Sequence, residues 1–249
     1  MIQRHLDILE LLETMERLDV TSLADKLSIS PSTIRKDLEF LENQGLLKRQ
    51  HGYAVRVSSD NINYRMVFNY ESKQAIAHEA VSLINDGETL MIESGSTCAL
   101  FASMLVKNKK DITIITNSTF IARYVNSSSA KVVLLGGEYH SDAEVVVGPF
   151  VKMCASQIYV DKFFVGANGF SPSRGFLNSN ISRAEAVQSM AESANKRYVL
   201  VDNTKLSILS TIALFPNTKV TGVICNEPVP IEAQEYFHQN NIELIKVIL

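Results

Sequence analysis

Ser30-Pro31-Ser32-Thr33-Ile34-Arg35-Lys36-Asp37-Leu38 opens a helix and gives it a direction. A serine before a proline is a helix start: the hydroxyl accepts a leading amide hydrogen, and proline sits where its missing N–H is not needed. Ile34, Leu38 and Leu41 then recur on one side, and Gly45 stops the helix. With Ile34 inward and about 100° per residue, Ser32, Lys36 and Asn43 fall nearly opposite, with Arg35 and Glu39 on the flank. Upstream, Ile8, Leu12 and Met15 mark one helix, and Leu23, Ala24 and Leu27 a second. Thr21 is placed to cap that second helix, with Ala24 where a complete capping box carries glutamate. Downstream, residues 46–57 read as two short strands about a turn at Gly52. Three helices and a hairpin predict a winged helix-turn-helix over residues 1–57.

In that fold the second helix of the motif enters the major groove. Arg and Lys suit guanine edges and phosphates, and hydroxyls at a helix start suit phosphate. The candidate DNA contacts are therefore Thr21, Ser30, Ser32, Thr33, Arg35, Lys36 and Glu39, with Lys48, Arg49 and His51 on the wing. Arg56 adds charge there. Residues 1–57 hold 8 basic and 9 acidic side chains, so the domain as a whole does not advertise DNA. Residues 1–28 carry 3 basic and 6 acidic, and residues 29–57 carry 5 and 3. The positive excess lies on the recognition helix and wing. A winged helix used only for protein contact would leave the same charges solvated, but it would not gather cap, proline, outward basic pair and basic wing together.

Composition narrows the rest. The chain has 249 residues, 46% of them apolar and 20% charged, with net charge −3. Those values exclude a disordered polyelectrolyte and a generally basic nucleic-acid coat. Cys98, Cys154 and Cys225 are odd in number and widely spaced, which suits a reducing compartment. The start, Met-Ile-Gln-Arg-His, turns acidic at once, unlike a secretory signal, and apolar runs are only strand-sized. A cytoplasmic protein with no membrane association is expected. His5, His51, His78, His140 and His238 show no metal-binding spacing. No nucleophile elbow or Walker-type loop occurs, and no metal or cofactor is expected. There is no internal repeat or low-complexity tract.

Residues 58–70 are polar and read as a linker. From residue 71 helix and strand alternate: a helix through Ile76, Ala80 and Ile84, then strand runs at 89–93, 112–116, 131–135, 162–166, 198–202, 220–225 and 242–248. Helical stretches lie at 98–107, 118–126, 184–195 and 231–240. This alternation predicts a largely parallel α/β sheet over 71–249. Glu93-Ser94-Gly95-Ser96-Thr97 leaves one strand and opens a helix, which suits an anion, although such a turn often only caps. Thr116-Asn117-Ser118 and Gly136-Gly137 repeat the arrangement after the next two strands. Turns converging at the carboxyl edge of a parallel sheet favour ligand binding over capping.

The N-terminal motif, with Arg4, Ile8 and Leu12 and then Ser30 to Leu38, resembles the signature of the DeoR family of bacterial transcriptional regulators. The family's wing commonly reads His-Gly-Gly-Ala, and here it is His51-Gly52-Tyr53-Ala54. Residues 71–249 resemble the family's sensor domain, which is related to ribose-5-phosphate isomerase. In that resemblance Ser94-Gly95-Ser96-Thr97 is the phosphate-proximal loop, and Asp202 and Lys205 match an Asp-x-x-Lys pattern. The family often has aspartate where this chain has Glu93 and Asn168, and Leu206-Ser207 replaces a usual Phe-Gly. The resemblance implies a DNA-binding regulator, more in the manner of a repressor, that responds to a phosphorylated sugar. The candidate effector set is Ser94, Gly95, Ser96, Thr97, Thr116, Asn117, Ser118, Gly136, Gly137, Asn168, Glu185, Asp202 and Lys205.

Two rivals stand beside this reading. One is a sugar-phosphate isomerase with an accessory helix-turn-helix, in which Glu185, Asp202 and Lys205 would serve as acid or base; carboxylate and lysine pairs more often only bind. The other is a regulator whose sensor is of the different phosphosugar-isomerase type, against which the hairpin and the Asp202–Lys205 motif speak. Cys98 reads as a packed small hydrophobe. One winged helix per chain offers little DNA contact, so a homodimer or homotetramer joined through the second domain is expected on double-stranded operator DNA.

Overall fold

Ile8, Leu12, Leu23, Ile34, Leu38 and Leu41 are buried together under short helices and a small sheet. They form the core of the first of two units, Met1–Phe68 and Asn69–Leu249, into which the computed structural model of residues 1–249 divides. Its elements are α1 (Gln3–Met15), β1 (Arg17–Asp19), α2 (Val20–Leu27), α3 (Pro31–Asn43), β2 (Leu47–Gln50), β3 (Tyr53–Arg56) and α4 (Ile62–Val67). Ser30 Oγ accepts the Thr33 amide at 3.2 Å, and Pro31 fills the first helical position of α3. Gly45, at φ +70°, ends that helix: its N–H bonds Glu42 O, and Leu46 N–H bonds Leu41 O.

Several expectations are corrected here. Asp19, not Thr21, caps α2, accepting the Ser22 amide at 2.9 Å and its hydroxyl at 2.7 Å. Thr21 lies exposed in the first turn. Met15 is 46% exposed and Leu9 takes its place in the core, because the chain leaves α1 at Glu16, φ 56°, to form β1. Within the stretch read as a linker, α4 buries Ile62 and Tyr64. The Tyr64 hydroxyl donates to Glu13 of α1, which also meets Arg56 of β3 at 3.2 Å. Burial and the Glu13 carboxylate together push the Tyr64 phenol far above its ordinary pKa.

The second unit comprises α5 (Tyr70–Ser82), β4 (Thr89–Ile92), α6 (Ser96–Asn108), β5 (Thr113–Thr116), α7 (Thr119–Tyr124), β6 (Lys131–Leu134), β7 (Glu138–His140) and β8 (Val145–Val147). It continues with α8 (Pro149–Ala155), β9 (Val160–Val165), β10 (Gly169–Ser171), β11 (Gly175–Asn178), α9 (Ile181–Glu192) and β12 (Ala194–Val201). Strands β13 (Ile212–Ala213) and β14 (Gly222–Asn226), helix α10 (Ile231–Gln239) and β15 (Glu243–Val247) complete it. Seven strands form one parallel sheet in the order β15-β14-β12-β9-β4-β5-β6. Met91, Phe163, Val199 and Val223 face α8, α9 and α10, while Phe164 meets Phe101 of α6 on the other side, ring centroids 4.5 Å apart. Cover on both faces is why these strands read as unbroken apolar runs. Residues 194 and 195, expected in a helix, instead lie in β12, where Arg197 donates to Ala191 O near the end of α9 and to Ala194 O at the start of β12. No helix is long and apolar enough to cross a membrane.

One buried carboxylate ties α1 to α3. Asp37, 6% exposed, accepts Arg4 Nε at 2.6 Å and a second Arg4 guanidinium N–H at 2.8 Å, and lies 3.2 Å from His5 Nε2. Burial alone would raise its pKa, but the bonds from Arg4 and His5 outweigh burial and hold it below the usual carboxylate range. A folded-state value below the unfolded one contributes stability above the unfolded value, near 3.9, and loses it as pH falls through the folded value. Asp37→Asn is expected to cost about 2–3 kcal/mol at neutral pH. In denaturant titrations of the full chain at successively lower pH, it should also flatten the acid-side loss that the parent shows below about pH 4. A variant as stable as the parent at neutral pH would contradict this role.

Candidate functional site

The helix α3 presents Ser32, Arg35, Lys36, Glu39 and Asn43 to solvent, with Thr33 half-buried. The Ser30 hydroxyl is within 3.0 Å of Ser32 Oγ and 2.8 Å of Thr33 Oγ1, so the helix start is a cluster of hydroxyls. Wing strands β2 and β3 pair antiparallel about His51 and Gly52, both at positive φ (49° and 86°), the tight turn that matches strand twist. Lys48, Arg49 and His51 are exposed. Arg49 is tethered: its amide and Nε donate to the two carboxylate oxygens of Glu42 at 2.8 and 2.6 Å. Hydrogen bonds from Arg49 hold the Glu42 carboxyl below its ordinary pKa. This pair clamps the wing to the end of α3. A cleft of about 350 Å³ lies between them, bordered by Arg35, Leu38, Glu42, Arg49, His51 and Tyr53.

In the second unit the strand order reverses between β9 and β4. From β4 the chain steps outward through β5 to β6, and from β9 through β12 and β14 to β15. At such a reversal neighbouring loops part and open a crevice at the carboxyl ends of the strands. Residues 93–97 leave β4 there, all buried. Glu93 Oε2 accepts the Gly166 amide across the gap at 3.3 Å, and Oε1 accepts the Ser94 hydroxyl at 2.9 Å. Gly95 is the N-cap of α6 and brings no capping side chain. The leading amides of α6 are thus buried without a cap, with Ser96 and Thr97 beside them, 4% and 6% exposed.

The other strand ends differ. Ser118 caps α7, accepting Ile121 N at 3.1 Å, and its own amide donates to Thr116 Oγ1 at 3.0 Å. Asn117 Nδ2 donates to Val146 O, while its buried Oδ1 has no protein partner. Asn168 Oδ1 faces the Ser179 amide at 3.4 Å. After β12, buried Asp202 accepts Asn69 Nδ2 at 3.3 Å and the Thr204 hydroxyl. The Asn203 amide is fixed by Asn226 Oδ1 at 2.9 Å. Lys205 is half-buried, and its ammonium takes no partner.

The sheet thus brings the 93–97 loop, residues 116–118, Asn168 and Asp202–Lys205 to one edge. It does not bury Gly136, Gly137 or Glu185, which are exposed. Gly137 has a packing reason instead: a Cβ there would stand 2.5 Å from Val147 O. Glu93, Gly166, Asn69 and Arg183 were missing from the expected set. Arg183 is 3% exposed in the first turn of α9. A cation at a helix N-terminus opposes the helix dipole, and that is the signal by which the sequence could have shown it. Cys98 is fully buried, as expected of a small packed hydrophobe.

Residues 4–60 match the family model of the DeoR-like helix-turn-helix domain, and residues 68–227 match that of the DeoR C terminal sensor domain. The HTH-type transcriptional regulator GolR of Listeria innocua is 31% identical over 217 residues, 85% of each chain. The glycerol-3-phosphate regulon repressor of Escherichia coli is 27% identical over 247 residues, 97% of each chain. A structure of D-ribose-5-phosphate isomerase in complex with phospho-erythronic acid aligns at TM-score 0.42 and 20% identity, over 55% of this chain and 54% of that one. With both halves matched in order, the chain belongs to the DeoR family of transcriptional regulators.

Proposed function

We propose that this regulator is a repressor of genes of carbohydrate metabolism, binding operator DNA through α3 and the wing and responding to a phosphorylated sugar or related metabolite in the crevice. The observation that carries the ligand reading is the buried, uncapped amino end of α6. Its amides offer the dipole and donors that a phosphoryl group needs, Ser96 and Thr97 add hydroxyls, and Lys205 adds an unspent positive charge. The orphaned Asn117 Oδ1 suits a ligand hydroxyl. A relative named for the glycerol-3-phosphate regulon supports the same chemistry.

Binding without turnover is part of this reading. Glu93 is held by Ser94 and Gly166, and Asp202 by Asn69 and Thr204, so both carboxylates are oriented by donors of the protein. Interconversion of ribose 5-phosphate or a hexose phosphate by the purified protein would favour the isomerase rival. The assembly we expect is a cytoplasmic homodimer or homotetramer joined through the sensor units, since one winged helix reads only a half-site. Light scattering that gave a monomer on a fully protected operator would contradict it.

On the DNA side, Arg35→Ala and Lys36→Ala should each weaken operator binding by about 1–3 kcal/mol. Glu39→Ala, which removes repulsion of phosphates, should bind equally or more tightly. Unchanged affinity in both cationic variants would take α3 out of the interface.

On the ligand side, charge-assisted hydrogen bonds are worth about 1.5–3 kcal/mol each, so binding should depend on the phosphoryl group. Glycerol 3-phosphate, ribose 5-phosphate and hexose phosphates form the panel, each beside its dephosphorylated form. At least one phosphorylated member should raise the melting temperature, and its partner should not. Gly95→Asp sets a carboxylate over the α6 amides, with its Cβ 3.3 Å from Glu93 Oε2, and should abolish the shift while sparing DNA binding. Linkage is reciprocal: a ligand that lowers operator affinity must itself bind less tightly when operator is present. A Gly95→Asp protein that still responds like the parent would refute the phosphate placement.

A further inference from the structure

The three-stranded sheet of the DNA-binding unit has one face in the core and one outside. Leu18, Leu47 and Ala54 are buried on the inner face. The strand register places Lys48, Val55 and Arg17 in one row across the outer face, and Gln50, Tyr53 and Asp19 in the next. Lys48, Gln50, Arg17 and Tyr53 are exposed. The outer face thus carries two cations, one on each strand flanking β3. Its one carboxylate, Asp19, is occupied in capping α2 through Ser22.

Arg17 differs from the other arginines of this unit that lie against the sheet. Arg49 pairs with Glu42 and Arg56 with Glu13, whereas Arg17 has no carboxylate partner. Its guanidinium lies over the Tyr53 ring, 5.2 Å from the centroid, within cation–π range. A guanidinium held on a ring keeps its N–H donors free at its edge, and it has lost much of the rotamer freedom that a phosphate contact would otherwise cost. Tyr53 also borders the cleft beside Arg35 of α3. The ring therefore holds a cation next to the reading face.

We propose that Arg17 is a further phosphate contact of this chain on duplex DNA, with Tyr53 as its positioning residue. This rests on DNA binding by the winged helix but on none of the contacts proposed for α3. Phosphate contacts carry no base information and release counterions, so they are read in the salt dependence of affinity and on any duplex.

The test uses the full-length protein and two labelled duplexes, one enriched by the parent from a random-sequence pool and one scrambled, titrated across a range of KCl. Arg17→Ala should make the slope of log K against log salt shallower by about 0.9 and weaken binding about fivefold at 0.15 M salt, the effect of one lost counterion release. The loss should be alike on both duplexes. Arg17→Lys should keep the slope, which separates charge from folding. Tyr53→Phe should match the parent. Tyr53→Val, strand-compatible but without a ring, should weaken binding yet add nothing to Arg17→Ala in the double variant. An unchanged slope in Arg17→Ala, or a loss confined to the enriched duplex, would overturn the contact while leaving α3 untouched. Parent-like binding by Tyr53→Val, or full additivity in the double variant, would overturn the positioning role.

Discussion

A parallel sheet covered on both faces leaves its strand ends as the place where polar groups can gather and find partners that offset their desolvation, and this constraint shapes the sensor unit. Met91, Phe163 and Val199 on one side and Phe164 on the other leave no room for chemistry along the strands. Every polar side chain of interest then lies just beyond a strand: Glu93 after β4, Thr116 to Ser118 after β5, Asp202 after β12, Asn226 at the end of β14. Order reversal at β9 and β4 adds the gap. Most of these groups are satisfied by neighbouring loops. The amino end of α6 is set apart by being buried as well as uncapped, and that contrast makes it the anion site in our proposal.

The same accounting explains how a DNA-binding unit with slightly more acids than bases presents a positive face. Arg4 is spent on Asp37, Arg49 on Glu42 and Arg56 on Glu13. Each pair cancels locally and fixes a joint: α1 to α3, wing to α3, and wing to α1. What remains around α3 and the outer sheet is Arg35, Lys36, Lys48 and Arg17, with Glu39 among them. Net charge is thus a poor guide to this surface, because three of the eight cations of residues 1–57 hold the fold together.

The long apolar runs were legible, and so all seven strands of the main sheet were placed from sequence, as were the α3 cap and its glycine stop. Strands β1, β7, β8, β10, β11 and β13, of two to four residues and outside the main sheet, were not, because alternation that short does not register without a turn signal such as Gly52 gave the wing. Thr21 was misread for a similar reason: Asp19 and Thr21 both have capping chemistry, and which one turns into the helix is decided by the pairing of β1 with β3. Asp37 sat inside a basic motif, and its partner lay 33 residues away. Polar triplets after buried strands marked the crevice loops. The bonds from Asn69 to Asp202 and from Gly166 to Glu93 join segments that only the folded sheet brings together.

Glu93 bears on what kind of ligand the proposed site favours. Its carboxylate spans to Gly166 and leaves the α6 amides uncovered, so an acceptor stands beside a site for an anion. Sulfate, which carries no O–H donor at neutral pH, gains the amides but meets that carboxylate with no hydrogen to offer it. A sugar phosphate brings hydroxyl donors along with its phosphoryl group, and a hydroxyl placed against Glu93 turns the same acceptor from a penalty into a hydrogen bond. Discrimination is a difference of affinities, and an element that penalises the wrong partner contributes as much as one that attracts the right one. On the proposed reading, the buried carboxylate is therefore the part of the crevice that favours an anion carrying hydroxyl donors over one without them.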